Sequence, residues 1–259
     1  MPCKAIFFDM DGTLTSLNGH SVSDSTLEAL RIAKEQGVKL FLATGRHHLL
    51  LLNPMVNAIP FDAHLTANGQ FCYKGKEVIR RHPIPKTDIA ALVRHLETAR
   101  NPVMFQTEHE IFVNMEDPLI DAALELIDVP RFPIRPPETC LGQDVFELLL
   151  FGDVEVEEPV MRIMPGSKAV RWVPLFTDII PADGGKDVGV AAVLGHYGID
   201  PAEAMAFGDG HNDISMLRHV GLGVAMGNAA QAVKDAADHV TDSVDADGIY
   251  KALKYFGVI

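Results

Sequence analysis

Ala5-Ile6-Phe7-Phe8-Asp9-Met10-Asp11-Gly12-Thr13 is a short apolar strand running straight into two aspartates and a glycine. Four apolar residues in a row suit a strand covered on both faces, the condition of a parallel sheet flanked by helices. Carboxylates at its end can leave water only if a cation, a partner or strong hydrogen bonds receive them. An Asx-turn or a helix cap uses the same residue types. The meaning of the segment is therefore set by what else the chain brings to it.

Outward from this segment, apolar strands alternate with amphipathic helices. Residues 23–36 read as a helix, with Ser23 as N-cap and Gly37 just past its end. Residues 38–43 read as a second strand, a further helix is expected near Arg46, and residues 63–67 as a third strand. A hairpin follows around Lys74-Gly75-Lys76. After Pro83-Ile84-Pro85 the texture changes. A helix at about 87–99, strands near 103–106 and 110–114 and a helix after Asp117 precede the Pro-rich loop 131–137, and strands are expected at 145–151, 169–173 and 176–180. This block reads as α+β with an antiparallel sheet. From Asp183 the alternation resumes: helix 186–196, strand 204–207, helix 212–219, strand 221–225, helix 229–236, a short strand at 239–240 and a last helix 246–256. The simplest organisation is one α/β domain, 1–82 with 183–259, split by an insert over 83–182.

Three polar segments share one local position. Asp9 follows the strand ending at Phe8, Thr44-Gly45 the strand ending at Ala43, and Gly208-Asp209 the strand ending at Phe207. If those strands are parallel, all three lie along the carboxyl edge, where open α/β sheets bind ligands. Each residue type has chemistry to do there. A carboxylate can attack phosphorus and divide one difficult transfer into two. Two carboxylates and a carbonyl suffice for magnesium, which prefers oxygen ligands and keeps several waters. Thr44 offers a hydroxyl, and Gly45 lets backbone N–H groups approach a phosphate at a helix N-terminus. Lys186 supplies a cation able to hold the nucleophile and the transferred phosphoryl group.

Other motifs fail on their residues. Gly184-Gly185-Lys186-Asp187 lacks the Ser/Thr of a phosphate loop and has Ile180 where its first glycine belongs. Gly221-Leu222-Gly223 reaches Met226 where a dinucleotide fingerprint requires glycine. His47 and His48 adjoin in sequence, so they are poor joint ligands and read as packing or solvated residues. With 35 acidic and 22 basic residues the net charge is −13, which disfavours nucleic acid and anionic membranes as partners. Cys3, Cys72 and Cys140 have no metal spacing and read as reduced thiols. No apolar run is long enough to span a bilayer. Met1-Pro2-Cys3-Lys4 leads directly into a strand with no room for a signal peptide, so a cytoplasmic location is expected.

Asp9-Met10-Asp11-Gly12-Thr13, Ala43-Thr44-Gly45-Arg46, Lys186 and Gly208-Asp209-Gly210-His211-Asn212-Asp213 occur in the order of the four motifs of the haloacid dehalogenase superfamily. The chain resembles that superfamily over essentially its whole length, specifically its Cof-type phosphatases with a type IIB α/β cap. Thr66-Ala67-Asn68-Gly69 and the stretch 178–186 also look like features of this subfamily. Around Lys186 the match loosens, with Gly185 before it and Asp187 after it where relatives often carry Ser-Lys-Gly. About 30 residues separate Thr13 from Thr44 and about 140 separate Gly45 from Lys186, so the insert falls where the α+β cap belongs.

The resemblance implies a Rossmann-like doubly wound parallel sheet core with an inserted α+β cap. It also implies hydrolysis of a small phosphomonoester, above all a sugar phosphate, through an aspartyl-phosphate. Asp9 is expected as nucleophile and Asp11 as general acid and then base. Magnesium is expected on the Asp9 carboxylate, the Asp11 carbonyl and Asp209, with Asp213 orienting its waters or Lys186. Thr44, Gly45, Lys186 and Asn212 are expected on the phosphoryl group, and Arg46, Asn68, Trp172 and Asp178 toward the rest of the substrate, with Arg171 beside Trp172. The insert is expected to be a mobile cap hinged at 83–85 and 181–184. A phosphomutase, a phosphatase of nucleotides or phosphorylated cofactors, and a non-enzymatic phosphoacceptor module are the alternatives. The last would lack both the cap and Asp11. No obligate protein partner is implied.

Overall fold

A computed structural model of the protein describes residues 3–16, 21–127 and 129–259. Strand β1 (Ala5–Phe8) is followed by helix α1 (Asp24–Glu35), whose Ser23 hydroxyl accepts the Thr26 N–H as its N-cap. Strand β2 (Lys39–Ala43) comes next. No regular helix starts near Arg46. A single 3-10 turn at His48–Leu50 and the short α2 (Pro54–Asn57) take its place. Pro54 starts a helix well, but it disfavours helical backbone at Asn53 and so interrupts any helix begun upstream. Strand β3 (Ala63–Thr66) and the hairpin β4 (Phe71–Lys74) with β5 (Glu77–Arg81) complete this leg.

The chain forms two compact units, residues 1–81 with 185–259, and residues 82–184. In the second unit, α3 (Lys86–Leu96) leads to β6 (Val103–Thr107), β7 (Ile111–Val113) and α4 (Pro118–Leu126). Then follow β8 (Val145–Phe151), α5 (Val154–Ile163), β9 (Ser167–Val173) and β10 (Phe176–Pro181). The strands form an antiparallel sheet in the order β7-β6-β8-β10-β9. One sheet face carries Val103, Phe105, Phe112, Leu148, Leu150 and Ile179 into a core with Leu92 and Val93 of α3 and Val160 of α5. The segment containing Ile84, expected as a hinge, is anchored in this unit. Ile84 is buried in the same core and its N–H donates to the Val145 carbonyl at 2.8 Å.

The return leg runs through α6 (Lys186–Tyr197), β11 (Ala204–Gly208), α7 (Ile214–His219), β12 (Leu222–Ala225), α8 (Gln231–Lys234), β13 (His239–Val240) and α9 (Gly248–Tyr255). It completes the sheet of the first unit in the order β13-β12-β11-β1-β2-β3-β4-β5. The strands from β13 to β3 are parallel, and β4 and β5 pair antiparallel. Alternation along β1 sends Ile6 and Phe8 to the face packed by α1 and α9, and Ala5 and Phe7 to the face packed by α6 and α7. The sheet is thus wound on both sides. Leaving β1 toward β2 and re-entering at β11 reverses the strand order beside β1, which marks the ligand-binding end. Among the described residues no helix is long and apolar enough to cross a membrane.

Candidate active site

The sheet register builds the site. Phe8 lies level with Phe207 on one side and Leu42 on the other, so Asp9, Thr44 and Asp209 emerge close together past three neighbouring strand ends. The Asp9 N–H extends the ladder by one bond to the Phe207 carbonyl at 3.0 Å. From the opposite element, α6 begins with Lys186, whose side chain is fully buried. Its Nζ donates to Asp9 Oδ1 at 2.6 Å and to Asp213 Oδ1 at 2.5 Å. The other oxygen of Asp213 accepts the N–H groups of Asp209 and Gly210 at 3.0 and 2.9 Å, so Asp213 fixes the loop that carries Asp209.

Asp9, Asp209 and Asp213 bring carboxylate oxygens within 4.8 Å of one another, with Lys186 as the ammonium among them. Burial, and then the charge of Asp213, pushes the Asp9 carboxyl well above the ordinary carboxylate range. Burial likewise pushes Asp209 up to about 6, against the hydrogen bond donated by Thr13. Burial alone would lower Lys186, but the carboxylates of Asp213 and Asp9 outweigh it and its pKa is raised. Three carboxylates against one ammonium leave negative charge that a cation would relieve, and the all-oxygen set suits a hard divalent ion. Neither thiolate nor imidazole belongs to the cluster.

Gly12 lies in the left-handed region at φ +85°, and a Cβ there would fall 2.3 Å from Asp209 Oδ2, so only glycine admits the Asp209 carboxylate. Two further groups hold that carboxylate, and the motif reading did not single them out. Thr13 Oγ1 donates to Asp209 Oδ1 at 2.8 Å. Asn228 Nδ2 donates to the Gly12 carbonyl at 2.8 Å and approaches Asp209 Oδ2 at 3.4 Å, while its Oδ1 accepts the Val244 N–H at 2.9 Å. Thr13 stood inside the first motif. Asn228 lies just past β12, and its link to Asp209 exists only in three dimensions.

On the other side of Asp9, the Thr44 hydroxyl accepts the Arg46 N–H at 3.0 Å. Gly45 therefore sits in a tight turn and not at a helix N-terminus, which corrects the expectation for that residue. A Cβ on Gly45 would meet the amides of Asn68 and Asn212 at 3.3 and 3.4 Å, and Asn212 Nδ2 donates to Asn68 Oδ1 at 2.9 Å. Asn68 is buried in a 3-10 turn with three successive left-handed residues, Ala67, Asn68 and Gly69. Arg46 does not stand free toward a substrate, because its guanidinium grips the Asp11 carboxylate through Nε and Nη2 at 2.7 and 3.0 Å.

In the second unit, Asp178 is buried on β10 opposite Leu149 and Val170. By register it shares a sheet face with Gln106 and Glu147, both buried and both missed in the sequence, on the side opposite Leu148 and Ile179. Trp172 lies on β9, and its side chain falls outside the described residues. Arg171 is engaged within its own unit, pairing with Glu157 at 2.9 Å and donating to the carbonyls of Gly152 and Pro174 at 3.0 Å. That is a structural clamp on the β9–β10 connection and corrects the expectation that it meets a substrate. His47 is wholly buried, and its Nδ1 accepts the Leu49 N–H at 3.3 Å, a packing role as expected.

Comparison with known proteins follows the same outline. The protein YkrA of Bacillus subtilis (strain 168), provisionally named a phosphatase, is 35% identical over 263 residues, covering 100% of both chains. The structure of BT4131, described as a HAD subclass IIB sugar phosphatase, superposes with a TM-score of 0.90 at 39% identity, covering 99% of this chain and 100% of that one. BT1666 from Bacteroides thetaiotaomicron, from a study of phosphatases of the haloalkanoate (HAD) superfamily, superposes with a TM-score of 0.91 at 37% identity, covering 99% and 96%. The model of the haloacid dehalogenase-like hydrolases matches residues 6–253, and with these relatives it establishes that the chain is an enzyme belonging to that family.

Proposed function

We propose that this enzyme is a magnesium-dependent phosphatase that hydrolyses small phosphomonoesters, sugar phosphates foremost, through an aspartyl-phosphate on Asp9. The observation that carries the reading is the Asp9–Lys186–Asp213 contact at 2.6 and 2.5 Å beside Asp209, at the end of the central strand. In this reading an oxygen of Asp9 attacks phosphorus while the bond to the ester oxygen breaks. Asp11 gives its proton to that departing oxygen, releasing an alcohol. The Asp11 carboxylate then takes a proton from water, whose oxygen attacks the same phosphorus and breaks the bond to Asp9. Inorganic phosphate leaves with Asp9 free and Asp11 again protonated, so the cycle closes. Lys186 keeps the Asp9 oxygen oriented and offsets charge on the phosphoryl oxygens, with the Thr44 hydroxyl and the Asn212 amide as further donors to them. Magnesium on Asp9, the Asp11 carbonyl and Asp209 would add charge neutralisation at the transferred group.

The residues gathered at the carboxyl edge all address phosphate and metal, so the rest of the ester must be read elsewhere. We assign that task to unit 82–184 acting as a mobile cap, with Asp178, Glu147 and Gln106 as hydrogen-bonding groups suited to a polyhydroxylated molecule. The naming of BT4131 as a sugar phosphatase supports this class. A second relative, YcsE of Bacillus subtilis, is named for a phosphoribitylaminouracil and is 27% identical, so esters of sugar alcohols belong in the same panel. The test is phosphate release from hexose, pentose, sugar-alcohol and nucleotide esters, in excess chelator and after add-back of single metals. The reading expects turnover restored by magnesium and ranked in favour of the polyhydroxylated esters. Full activity in chelator, or isomerisation without phosphate release, would contradict it.

A further inference from the structure

Arg46 is the second cation of the site, and the structure gives it a different partner from Lys186. Its two prongs take both oxygens of Asp11, the two-point geometry that guanidinium and carboxylate form best. The pair is largely shielded, with side chains 19% and 31% exposed. Both backbones are fixed. The Arg46 N–H is held by the Thr44 hydroxyl at 3.0 Å and its carbonyl accepts the Ala67 N–H at 3.1 Å, at the start of the left-handed turn. The Asp11 turn is closed by the Gly12 N–H to the Thr15 carbonyl at 2.8 Å and by Asn228 on the Gly12 carbonyl. Among the described residues, Arg46 is the only side chain that hydrogen-bonds the Asp11 carboxylate. Asp9 and Asp213 share Lys186, whereas the orientation of Asp11 hangs on this one fork.

We propose that Arg46 is the positioning residue for Asp11. In this assignment the fork holds the Asp11 carboxylate before turnover. One prong gives way when Asp11 takes up its proton, and the remaining hydrogen bond sets the angle from which that carboxyl reaches the departing ester oxygen; Arg46 is not chiefly a contact to the phosphoryl group. The inference rests on the phosphatase reading above. Its consequence is a dependence on the leaving group. A sugar alkoxide departs only with a proton supplied, whereas a dinitrophenolate departs unaided. The ratio kcat/KM reports the steps up to transfer onto Asp9, so it isolates this proton from the later attack of water.

The experiment compares kcat/KM for a hexose phosphate and for dinitrophenyl phosphate in the wild type, Arg46→Ala, Arg46→Lys, Asp11→Asn and the Arg46→Ala/Asp11→Asn double variant. Circular dichroism and melting temperature check folding. Both Arg46 variants should lose about 100-fold on the hexose phosphate and at least about ten-fold less on the aryl ester. Lysine should not rescue, since it offers a point charge and no fork. In the Asp11→Asn background, removing Arg46 should add less than about three-fold, because the two act as one unit. Should Arg46→Ala fail to fold, Arg46→Lys beside Asp11→Asn carries the same comparison. Equal losses on both esters, rescue by lysine, or effects that multiply in the double variant would overturn the positioning role while leaving the phosphatase reading intact. A wild type that releases phosphate from neither ester would overturn that reading, and this proposal with it.

Discussion

At the scale of single residues, the groups proposed to act in the reaction announce themselves in the sequence and the groups that hold them do not. Asp9, Asp11, Thr44, Lys186 and Asp209 each stand at a strand or helix end, so a local pattern exposes them. Asn228 shows the opposite case. It joins the Gly12 carbonyl, Asp209 and the Val244 N–H, three segments far apart in sequence, and no short-range pattern encodes that meeting. Asn228→Ala should leave the fold intact but raise the magnesium concentration for half-maximal activity by about ten-fold, as loss of a ligand's outer partner commonly does. Titration of activity against magnesium checks this. An unchanged metal requirement would reduce Asn228 to a loop tie.

At the scale of elements, strands were more legible than helices. Val145–Phe151 falls where its run of apolar residues, broken only by Glu147, places it, because a fully buried strand needs little beyond near-continuous hydrophobic sequence. Helix α5 is not expected from the sequence, since Pro159 and three glutamates within Val154–Ile163 weaken a helical pattern, yet the Asp153 side chain caps it and Val160 anchors it in the core. The contact between α6 and the 67–69 turn could not be read at all, because it depends on two glycines meeting. A Cβ on Gly189 would lie 2.8 Å from the Cα of Gly69. Helix propensity alone would make Gly189→Ala stabilising by about 1 kcal/mol. We expect the reverse sign, a net loss of roughly 1–2 kcal/mol from overpacking, with a raised KM as the Asn68 turn is pushed out of place. Denaturant unfolding and steady-state kinetics measure the two effects, and a gain in stability with unchanged KM would contradict the account.

For the whole molecule, the acidic cluster couples folding to pH and, on the proposed reading, to metal. A carboxyl whose pKa is raised by folding contributes stability that is complete below its unfolded value and lost as pH climbs through its folded value. For Asp209 that window runs from the ordinary 3.8 to about 6, and Asp9 shifts in the same sense. The metal-free protein therefore carries at neutral pH a repulsion that a divalent cation bound there would relieve. The increase in melting temperature on adding magnesium should grow between about pH 5 and about pH 7.5. An increase that is flat or shrinking over that range would speak against these carboxylates as the metal's ligands.

Covalent chemistry at Asp9 is the core of the proposed mechanism, and acid-quench trapping reads it directly. On the proposed mechanism the Asp11→Asn variant lacks the base for the second step, so an activated aryl phosphate should load it faster than water unloads it. Quenching in acid, digestion and mass spectrometry should find close to one phosphoryl group per protein, on the peptide containing Asp9 and labile to hydroxylamine. The Asp9→Asn variant should show none. Phosphate release with no protein-bound phosphoryl group, or a phosphoryl group on a different residue, would contradict it.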